Sequence, residues 1–416
     1  MRIVQINISE VGSTGKIMHG LSKVARENGH EVWSFSPIGY QRGQKQKPAV
    51  IKGHSQISSR FSTMLHLRFY QLSGIHGVLS VLGGIQLLMA LKRIRPDLIQ
   101  LHNLHSEMFN LPLLFGFIKK YKIPTIWTLH DCWSFTGKCP HFEMAGCEKW
   151  KSGCGNCPQI NEYPRTLIDN TKFMWKLKRR WFTGVDNMTI VTPSQWLADL
   201  VKQSFLRDYP VKVINNGIDL DVFKPIESNV REKYGIAQDK FMILGVAADW
   251  GVRKGLDVFV ELSKRLDDRF QIVLVGTDDR IDKQLPENIV SIHRTENQKQ
   301  LAEIYTTADL FVNPTREEVL GLVNIEANAC GTPVITFNSG GSPECINDYS
   351  GSIVDKNDID AMAKEIIFVF DKNPYSMAAC MSRANIFDMN KKYLEYLAIY
   401  ERAYKVYENR NNNTLL

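Results

Sequence analysis

The sequence predicts an α/β fold of two domains, each a parallel sheet covered by helices on both faces. Three observations predict it. At 416 residues the chain has room for two domains of about 200 residues each. Short apolar, β-branched runs alternate with helix-length segments along nearly its whole length. That alternation occurs twice, divided by the turn signal Asn215-Asn216-Gly217 directly after the run VKVI.

In the first half the strands read as Ile3–Asn7, Glu31–Phe35, Leu98–His102, Thr125–His130 and Asn187–Thr192, with a helix from about Gly15 to Glu27. In the second half they read as Met242–Ala247, Gln271–Gly276, Ile289–His293, Leu310–Asn313 and Val334–Phe337. The domain boundaries follow: 1–214, 215–389, and an amphipathic C-terminal segment 390–416 containing YLEYLAIYERAYKVY. In such sheets ligands bind beyond the carboxyl ends of the strands, and the distinctive residues cluster there.

Hydrophobic residues make up 44% and charged residues 23%, the balance of a globular protein; only the polar run from Asn409 to Asn413 is too hydrophilic to pack. MRIVQINIS reads as a buried strand and lacks the pattern of a secretory leader. The apolar segment Ile75–Leu91 is interrupted by His76 and Gly83-Gly84, so it reads as a core helix and not a membrane span. These features predict a cytoplasmic protein. A net charge of +7 is modest, and no nucleic-acid-binding motif accompanies it. One basic stretch stands out: Lys172–Phe182, KFMWKLKRRWF, interleaves five cations with aromatics at helical spacing. It reads either as an amphipathic helix with its aromatic face in the core or as a face resting on anionic lipid.

Three segments of the second half carry chemistry. WGVRKGLD puts Arg253 and Lys254 in a strand-to-helix loop, where two cations and free backbone N–H groups suit a diphosphate; alone, such a pair is more often a solvated face. NPTREEVLGLVNIEANACGTPV carries Glu317, Glu318 and, eight residues after Glu318, Glu326 at the start of a helix. A carboxylate there can accept hydrogen bonds from a ribose diol, although two unrelated surface carboxylates would look the same. NSGGSPECI holds Gly340 and Gly341, whose backbone amides can approach a ligand closely.

In this order and spacing the segments resemble family 4 of the glycosyltransferases, retaining enzymes of the GT-B fold, in which two Rossmann-like domains face each other across a cleft. The resemblance covers nearly the whole chain and is most specific at Glu318, Glu326 and the following ACGTPV. It implies that Arg253 and Lys254 bind the donor diphosphate and Glu326 the donor ribose, while Glu318 contacts the transferred sugar and acts in catalysis. It also implies that Gly340 and Gly341 line the donor site. Many members carry a further arginine about six residues before the lysine, and Ala248 stands there instead, which shifts phosphate charge onto Arg253. The last helix, from about residue 390, crosses back to the first domain in this fold.

In the first half, EVGSTGKI follows the first strand without the spacing of a phosphate-binding Walker loop. The resemblance instead places Gly12 to Lys16, Gly15 in particular, opposite the donor phosphates, and GHEV at Gly29–Val32 is typical of the family. His130 closes the run TIWTLH. A strand-end histidine is commonly satisfied by backbone; the resemblance favours a role near the reacting sugar, in positioning and charge stabilisation. His102 and Asn103, with His105, read as acceptor contacts. The insertion 132–163 then carries Cys139, Cys147, Cys154 and Cys157 in a C-x7-C-x6-C-x2-C pattern, with Cys132 and His141 nearby. Four thiolates ending in a C-x2-C knuckle suit a structural zinc, with free thiols the alternative. A similar insertion occurs in members from bacterial exopolysaccharide and lipopolysaccharide pathways.

The expected function is hexosyl transfer, with retention, from a nucleotide diphosphate sugar to a glycan, carried on a lipid, with no metal at the phosphates. A non-hydrolysing sugar-nucleotide epimerase of the same architecture and a non-catalytic binding module remain as alternatives.

Overall fold

The computed structural model describes residues 1–37, 53–105 and 109–413, the last four without their side chains. The chain divides into two compact units, Met1–Ile214 with Tyr393–Leu416, and Asn215–Lys392.

The sheet of the first unit comprises β1 (Arg2–Ile6), β2 (Glu31–Pro37), β3 (His54–Ile57), β4 (Leu98–Leu101), β5 (Thr125–Thr128), β6 (Met188–Thr192) and β7 (Val211–Val213). All pairings are parallel, in the order β3-β2-β1-β4-β5-β6-β7. Its helices are α1 (Gly12–Glu27), α2 (Arg60–Ser73), α3 (Val81–Ile94), α4 (Leu111–Tyr121), α5 (Thr171–Phe182) and α6 (Gln195–Gln203). Strands β4 and β5 are buried at every position, because helices cover both faces and leave no solvent side for polar alternation.

The second unit repeats the plan with β8 (Phe241–Val246), β9 (Phe270–Val275), β10 (Ile289–Ile292), β11 (Leu310–Asn313), β12 (Val334–Phe337) and β13 (Gly351–Val354). These are parallel in the order β10-β9-β8-β11-β12-β13. Its helices are α7 (Val230–Lys233), α8 (Leu256–Arg265), α9 (Asp279–Asp282), α10 (Gln298–Thr307), α11 (Leu322–Ala329), α12 (Ile359–Lys372) and α13 (Met377–Ala384). Each sheet is thus a Rossmann-like arrangement. The strand order reverses between β1 and β4 in one unit and between β8 and β11 in the other, the two positions where a crevice opens for ligand.

Helix α14 (Met389–Asn413) starts in the second unit and continues in the first. There Tyr393, Tyr396, Leu397 and Tyr400 are buried. Thr128 donates to the Tyr396 hydroxyl at 3.2 Å, and Tyr400 donates to Gln100 at 3.0 Å. Gly20 makes room for this helix, since a Cβ there would lie 2.4 Å from the Tyr393 hydroxyl. The helical backbone persists through the polar Asn411–Asn413.

One sequence reading is corrected and one choice between two is decided. Ile75–Leu91 is not one core helix: the left-handed Gly74 and Gly77 (φ 70° and 75°) turn the chain, and α3 begins only at Val81. That helix then leaves Val81, Leu82, Ile85 and Met89 exposed. In α5, Met174, Trp175, Trp181 and Phe182 are buried, as is Lys178, so the aromatic face belongs to the core. Among the described residues no helix is long and apolar enough to cross a membrane.

Candidate functional site

In the second unit the chain leaves β8 and forms a tight turn over Val252–Lys254. It enters α8 through Gly255, left-handed at φ 77°, where a Cβ would meet the Pro314 carbonyl at 2.5 Å. From the neighbouring strand β11 comes the loop that carries Glu318. Lys254 Nζ donates to Glu318 Oε2 at 2.5 Å, with each side chain about one-fifth exposed (20% and 21%). The residues expected to hold diphosphate and sugar therefore meet at one point, beyond the carboxyl ends of β8 and β11, where the strand order reverses.

Arg316, which sequence reasoning passed over, ties the two loops together. Its backbone N–H donates to the Arg253 carbonyl at 2.9 Å, and its guanidinium grips Asp257 at 2.8 and 2.7 Å and the Val252 carbonyl. Arg316 is thus occupied within the protein, whereas Arg253 makes no ion pair among the described residues. The only sequence signal for Arg316 is its place at the end of β11.

The glycine pair serves Glu318 directly. Gly340 is left-handed at φ 55°, and a Cβ there would lie 1.7 Å from the Glu318 carbonyl oxygen. The Gly341 N–H donates to that same oxygen at 3.0 Å. The Gly341 amide expected to face a ligand is therefore engaged by the protein, and what the pair accommodates is the Glu318 backbone. Beneath it runs a buried network: Asn313 donates to Asn324, Asn324 to Ser342, each at 2.8 Å, and Ser342 shares a hydrogen bond with Thr336 at 2.7 Å. Every group is satisfied, which rigidifies the turn.

Glu326 projects from α11 and accepts a hydrogen bond from the buried Tyr305 hydroxyl at 3.2 Å. Burial, then the nearby Glu326 charge, pushes the Tyr305 phenol well above its usual range, so it stays a donor and fixes the carboxylate.

In the first unit, α1 opens at Gly12 (φ 77°) after Val11, which supplies no side-chain cap. Gly15 is buried against the Glu10 backbone, where a Cβ would come within 2.5 Å. Past β4, His102 is fully buried and hydrogen-bonded to Gln5 at 2.9 Å, and the Asn103 carbonyl accepts from Ile8 at 2.9 Å. His130, just past β5, stacks on His102 with ring centroids 5.8 Å apart and an Nε2-to-Nδ1 distance of 3.5 Å. Burial pulls the His130 pKa down to about 4, so the imidazole is neutral at pH 7. The next residue, Asp131, pairs with His105 at 2.7 Å.

The insertion runs on with little regular structure. The Gly137 N–H donates to Cys154 Sγ at 3.2 Å. The Cys139 thiol donates to Cys157, which draws the Cys157 pKa down to about 6 and raises that of Cys139. Among the described residues the one trio of ligand atoms lying mutually within 4.8 Å is Asp279 and Asp282 of α9 with His293, just past β10; no three of the four sulfurs reach that spacing.

Known proteins share this architecture. WcaC of Escherichia coli (strain K12), a protein named as a colanic acid biosynthesis glycosyl transferase, is 27% identical over 378 residues, covering 86% of this chain and 88% of WcaC. A D-inositol 3-phosphate glycosyltransferase of Mycolicibacterium smegmatis (strain ATCC 700084 / mc(2)155) is 29% identical over 48% of this chain and 49% of its own. Among solved structures, sucrose-phosphate synthase from Thermosynechococcus elongatus superposes with a TM-score of 0.69 at 17% identity, over 97% of this chain and 99% of that one. Anabaena HepE in complex with UDP gives 0.64 at 15% identity, over 97% and 100%. At these identities the superpositions speak for the fold alone, and the fold is GT-B. The family model described as Glycosyl transferases group 1 matches residues 227–385, the unit that holds the Lys254–Glu318 pair. The one described as Glycosyltransferase Family 4 matches residues 14–222, just over half of the chain, and the chain accordingly belongs to glycosyltransferase family 4.

Proposed function

We propose that this glycosyltransferase moves a hexosyl group, with retention of configuration, from a nucleotide diphosphate sugar to a lipid-linked glycan in bacterial cell-surface polysaccharide synthesis. The carrying observation is the Lys254–Glu318 pair at the strand-order reversal of the second unit. A cation and a carboxylate 2.5 Å apart suit the junction between a phosphate, which needs positive charge, and a sugar, whose hydroxyls need an acceptor. Arg253, free of ion pairs among the described residues, adds to the diphosphate clamp, and Glu326 takes the ribose. On the first unit the N-terminus of α1 at Gly12–Gly15 offers backbone N–H groups to the phosphates. His130, His102 and Asn103 line the acceptor side, with His130 orienting the reacting groups as a neutral imidazole. The resemblance to WcaC supports a polysaccharide product.

A lipid-carried acceptor draws support from the surface of α2 and α3. Phe61, Met64, Leu65 and Leu72 on α2 and Val81, Leu82, Ile85 and Met89 on α3 are all exposed, an unusual apolar load for a solvated surface. Leu167, Ile168 and Phe173 extend it, since the Leu167 N–H binds the Gln71 carbonyl at the end of α2. Residues 53–96 contain Arg60, Arg68, Lys92, Arg93 and Arg95 and no carboxylate. Exposed apolar side chains on a segment that carries cations and no carboxylate match an anionic bilayer surface. This moves the membrane contact expected of residues 172–182 largely onto α2 and α3.

The test is turnover of UDP-, GDP- and ADP-hexoses with a polyprenyl-diphosphate-linked oligosaccharide in anionic vesicles, with the anomeric configuration of the product read by NMR. Stable binding of nucleotide sugar without transfer to any glycan, or an inverted product, overturns the reading. Leu82→Glu with Ile85→Glu should abolish sedimentation with anionic vesicles while leaving nucleotide binding intact.

A further inference from the structure

Arg2, at the start of β1, and Asp97, just ahead of β4, border a cavity of about 460 Å³, a volume within the range of small-molecule sites. Every residue lining it belongs to the first unit. Ligands of this fold bind beyond the carboxyl ends of the strands, so a cavity at the amino ends of β1 and β4 lies at the opposite end of the sheet. Its floor is apolar: Leu91 of α3, Phe117 of α4 and Ile123 ahead of β5 are all buried. Two tyrosines join them, Tyr121 from α4 and Tyr407 from α14, and the Tyr121 ring lies 4.5 Å from that of Phe117.

The polar lining is cationic. It holds three cations, Arg2, Lys92 and Arg95, and one carboxylate, Asp97. Asp97 is taken up by Arg2, whose backbone N–H and guanidinium each reach one of its oxygens at 2.7 Å. Lys92 and Arg95 form no ion pair among the described residues, so two positive charges stay uncompensated. The charges just outside are mixed: Glu31 acts on Arg2, Glu408 accepts from the Tyr404 hydroxyl, and the Lys120 ammonium lies 5.6 Å from the centre of the Tyr121 ring. Arg95 is also placed at a steric cost. It closes α3 in the left-handed region at φ 50°, where glycine or asparagine fits more easily. Pro96 stops the helix without requiring an arginine before it. Arg93, four residues after Met89, continues the exposed apolar face of α3, whereas Lys92 and Arg95 line the cavity. The cavity is therefore distinct from the surface proposed for lipid.

We propose that this cavity binds a nucleoside phosphate, with the phosphate on Lys92 and Arg95 and the base against Phe117, Tyr121 and Tyr407. A phosphate monoester carries about −1.5 to −2 charges near pH 7, which matches the two uncompensated cations. Every base presents a flat π-face, so aromatic walls hold the ring without selecting one base. The site lies in the first unit, apart from the nucleotide site proposed for the second, and it stands independently of the transfer reading.

The test uses the full chain, photolabelled with azido-AMP and with azido-UMP and digested for mass spectrometry. Label should be found on the peptides that hold Tyr121 or Tyr407. Label within residues 215–392, the second unit, serves as the internal reference. Arg95→Asn with Lys92→Gln should cut the label on the Tyr121 and Tyr407 peptides by about tenfold or more, since two charge-assisted contacts are lost. Asparagine suits the left-handed backbone, so the melting temperature should hold and label on the second unit should persist. Lys364→Gln, at an exposed lysine of the second unit, should change neither. No label on the Tyr121 or Tyr407 peptides, or equal label in the double variant, overturns the site. Displacement by inorganic diphosphate as readily as by AMP shows that the rings contribute nothing and overturns the nucleoside. Displacement by phosphatidylglycerol vesicles but not by AMP assigns the cavity to a lipid headgroup and overturns it equally.

Discussion

Lys254→Ala tests the reaction site most directly, because its effects on stability and on rate are expected to differ by orders of magnitude. At 2.5 Å the gross attraction between Lys254 and Glu318 is about 7 kcal/mol at an effective dielectric near 20. Desolvation and lost side-chain entropy remove most of it. For a pair about one-fifth exposed, a net loss of roughly 1–2 kcal/mol of folding stability remains. That is a fall in melting temperature of about 2–8 °C. On the proposed mechanism the ammonium stabilises the departing diphosphate from a fixed position, where loss of one such donor costs about 2.7–4 kcal/mol, or 10²–10³ in kcat. The assay is initial rate against donor concentration, by nucleotide diphosphate release, beside a thermal melt. Because the two groups act at one junction, Lys254→Ala/Glu318→Gln should be little slower than the worse single variant. A kcat within threefold of the parent for Lys254→Ala, with the protein folded, removes the lysine from the mechanism. Fully additive losses in the double variant would show that the two side chains act separately.

Three further outcomes follow from the geometry. Glu326→Gln should weaken binding of the free nucleotide in calorimetry about tenfold, while Glu318→Gln should leave nucleotide affinity near that of the parent and lower kcat; equal losses of affinity refute the division of roles. Gly340→Ala forces a Cβ to 1.7 Å from the Glu318 carbonyl at a left-handed φ, so it should cost at least about 2 kcal/mol in chemical denaturation and abolish turnover. His130 has its folded pKa lowered from 6.5 to about 4, so the stability it contributes is fully present above about pH 6.5 and is lost as pH falls towards 4. His130→Asn should flatten the pH dependence of the melting temperature in that window by roughly 3 kcal/mol of stability, and a parallel curve would show that the imidazole is not buried neutral.

The sheets were legible in the sequence wherever both faces are covered. Runs such as Leu310–Asn313 and Val334–Phe337 are continuous and apolar because helices bury them on either side, and their bounds match the structure. Two of the four edge strands, β3 and β13, were not legible. HSQI at β3 leaves Ser55 and Gln56 exposed, and GSIV at β13 leaves Ile353 50% exposed, so neither carries a buried-strand pattern. The turn between α2 and α3 was hidden because Gly74 and Gly77 matter through their positive φ, which a hydrophobic pattern does not report. At the site, Lys254 and Glu318 were visible as residue types in a known order. Their contact was not, since it depends on β8 and β11 lying side by side although they are far apart in sequence. Arg316 was missed for the same reason: its partners Asp257 and Arg253 come from the other strand's loop.

The insertion poses a physical problem that its neighbours help to resolve. Ordering each residue of a loop costs about 1–2 kcal/mol of backbone entropy, and the segment between β5 and α5 has only two short turns of regular structure, Trp133–Phe135 and Lys149–Lys151. Its own apolar core is small, chiefly Phe135 and Phe142 against Trp150 with ring centroids 5.2 and 5.0 Å apart. Lys178 reaches into this loop from α5 and holds the Trp133 carbonyl, and the Trp133 ring stacks on His105 at 5.1 Å. His105 pairs with Asp131, the residue after His130. Whatever fixes the cysteine end of the insertion is therefore connected, contact by contact, to the backbone that sets the His130 ring. An imidazole held neutral by burial acts only through hydrogen bonds, which fail with small errors of direction. A firmly anchored loop is what such a group requires. On this reasoning, Phe142→Ala, which thins the core of the insertion, should lower kcat while leaving the affinity of the separate donor unit for nucleotide unchanged, because none of these contacts involves Lys254, Glu318 or Glu326.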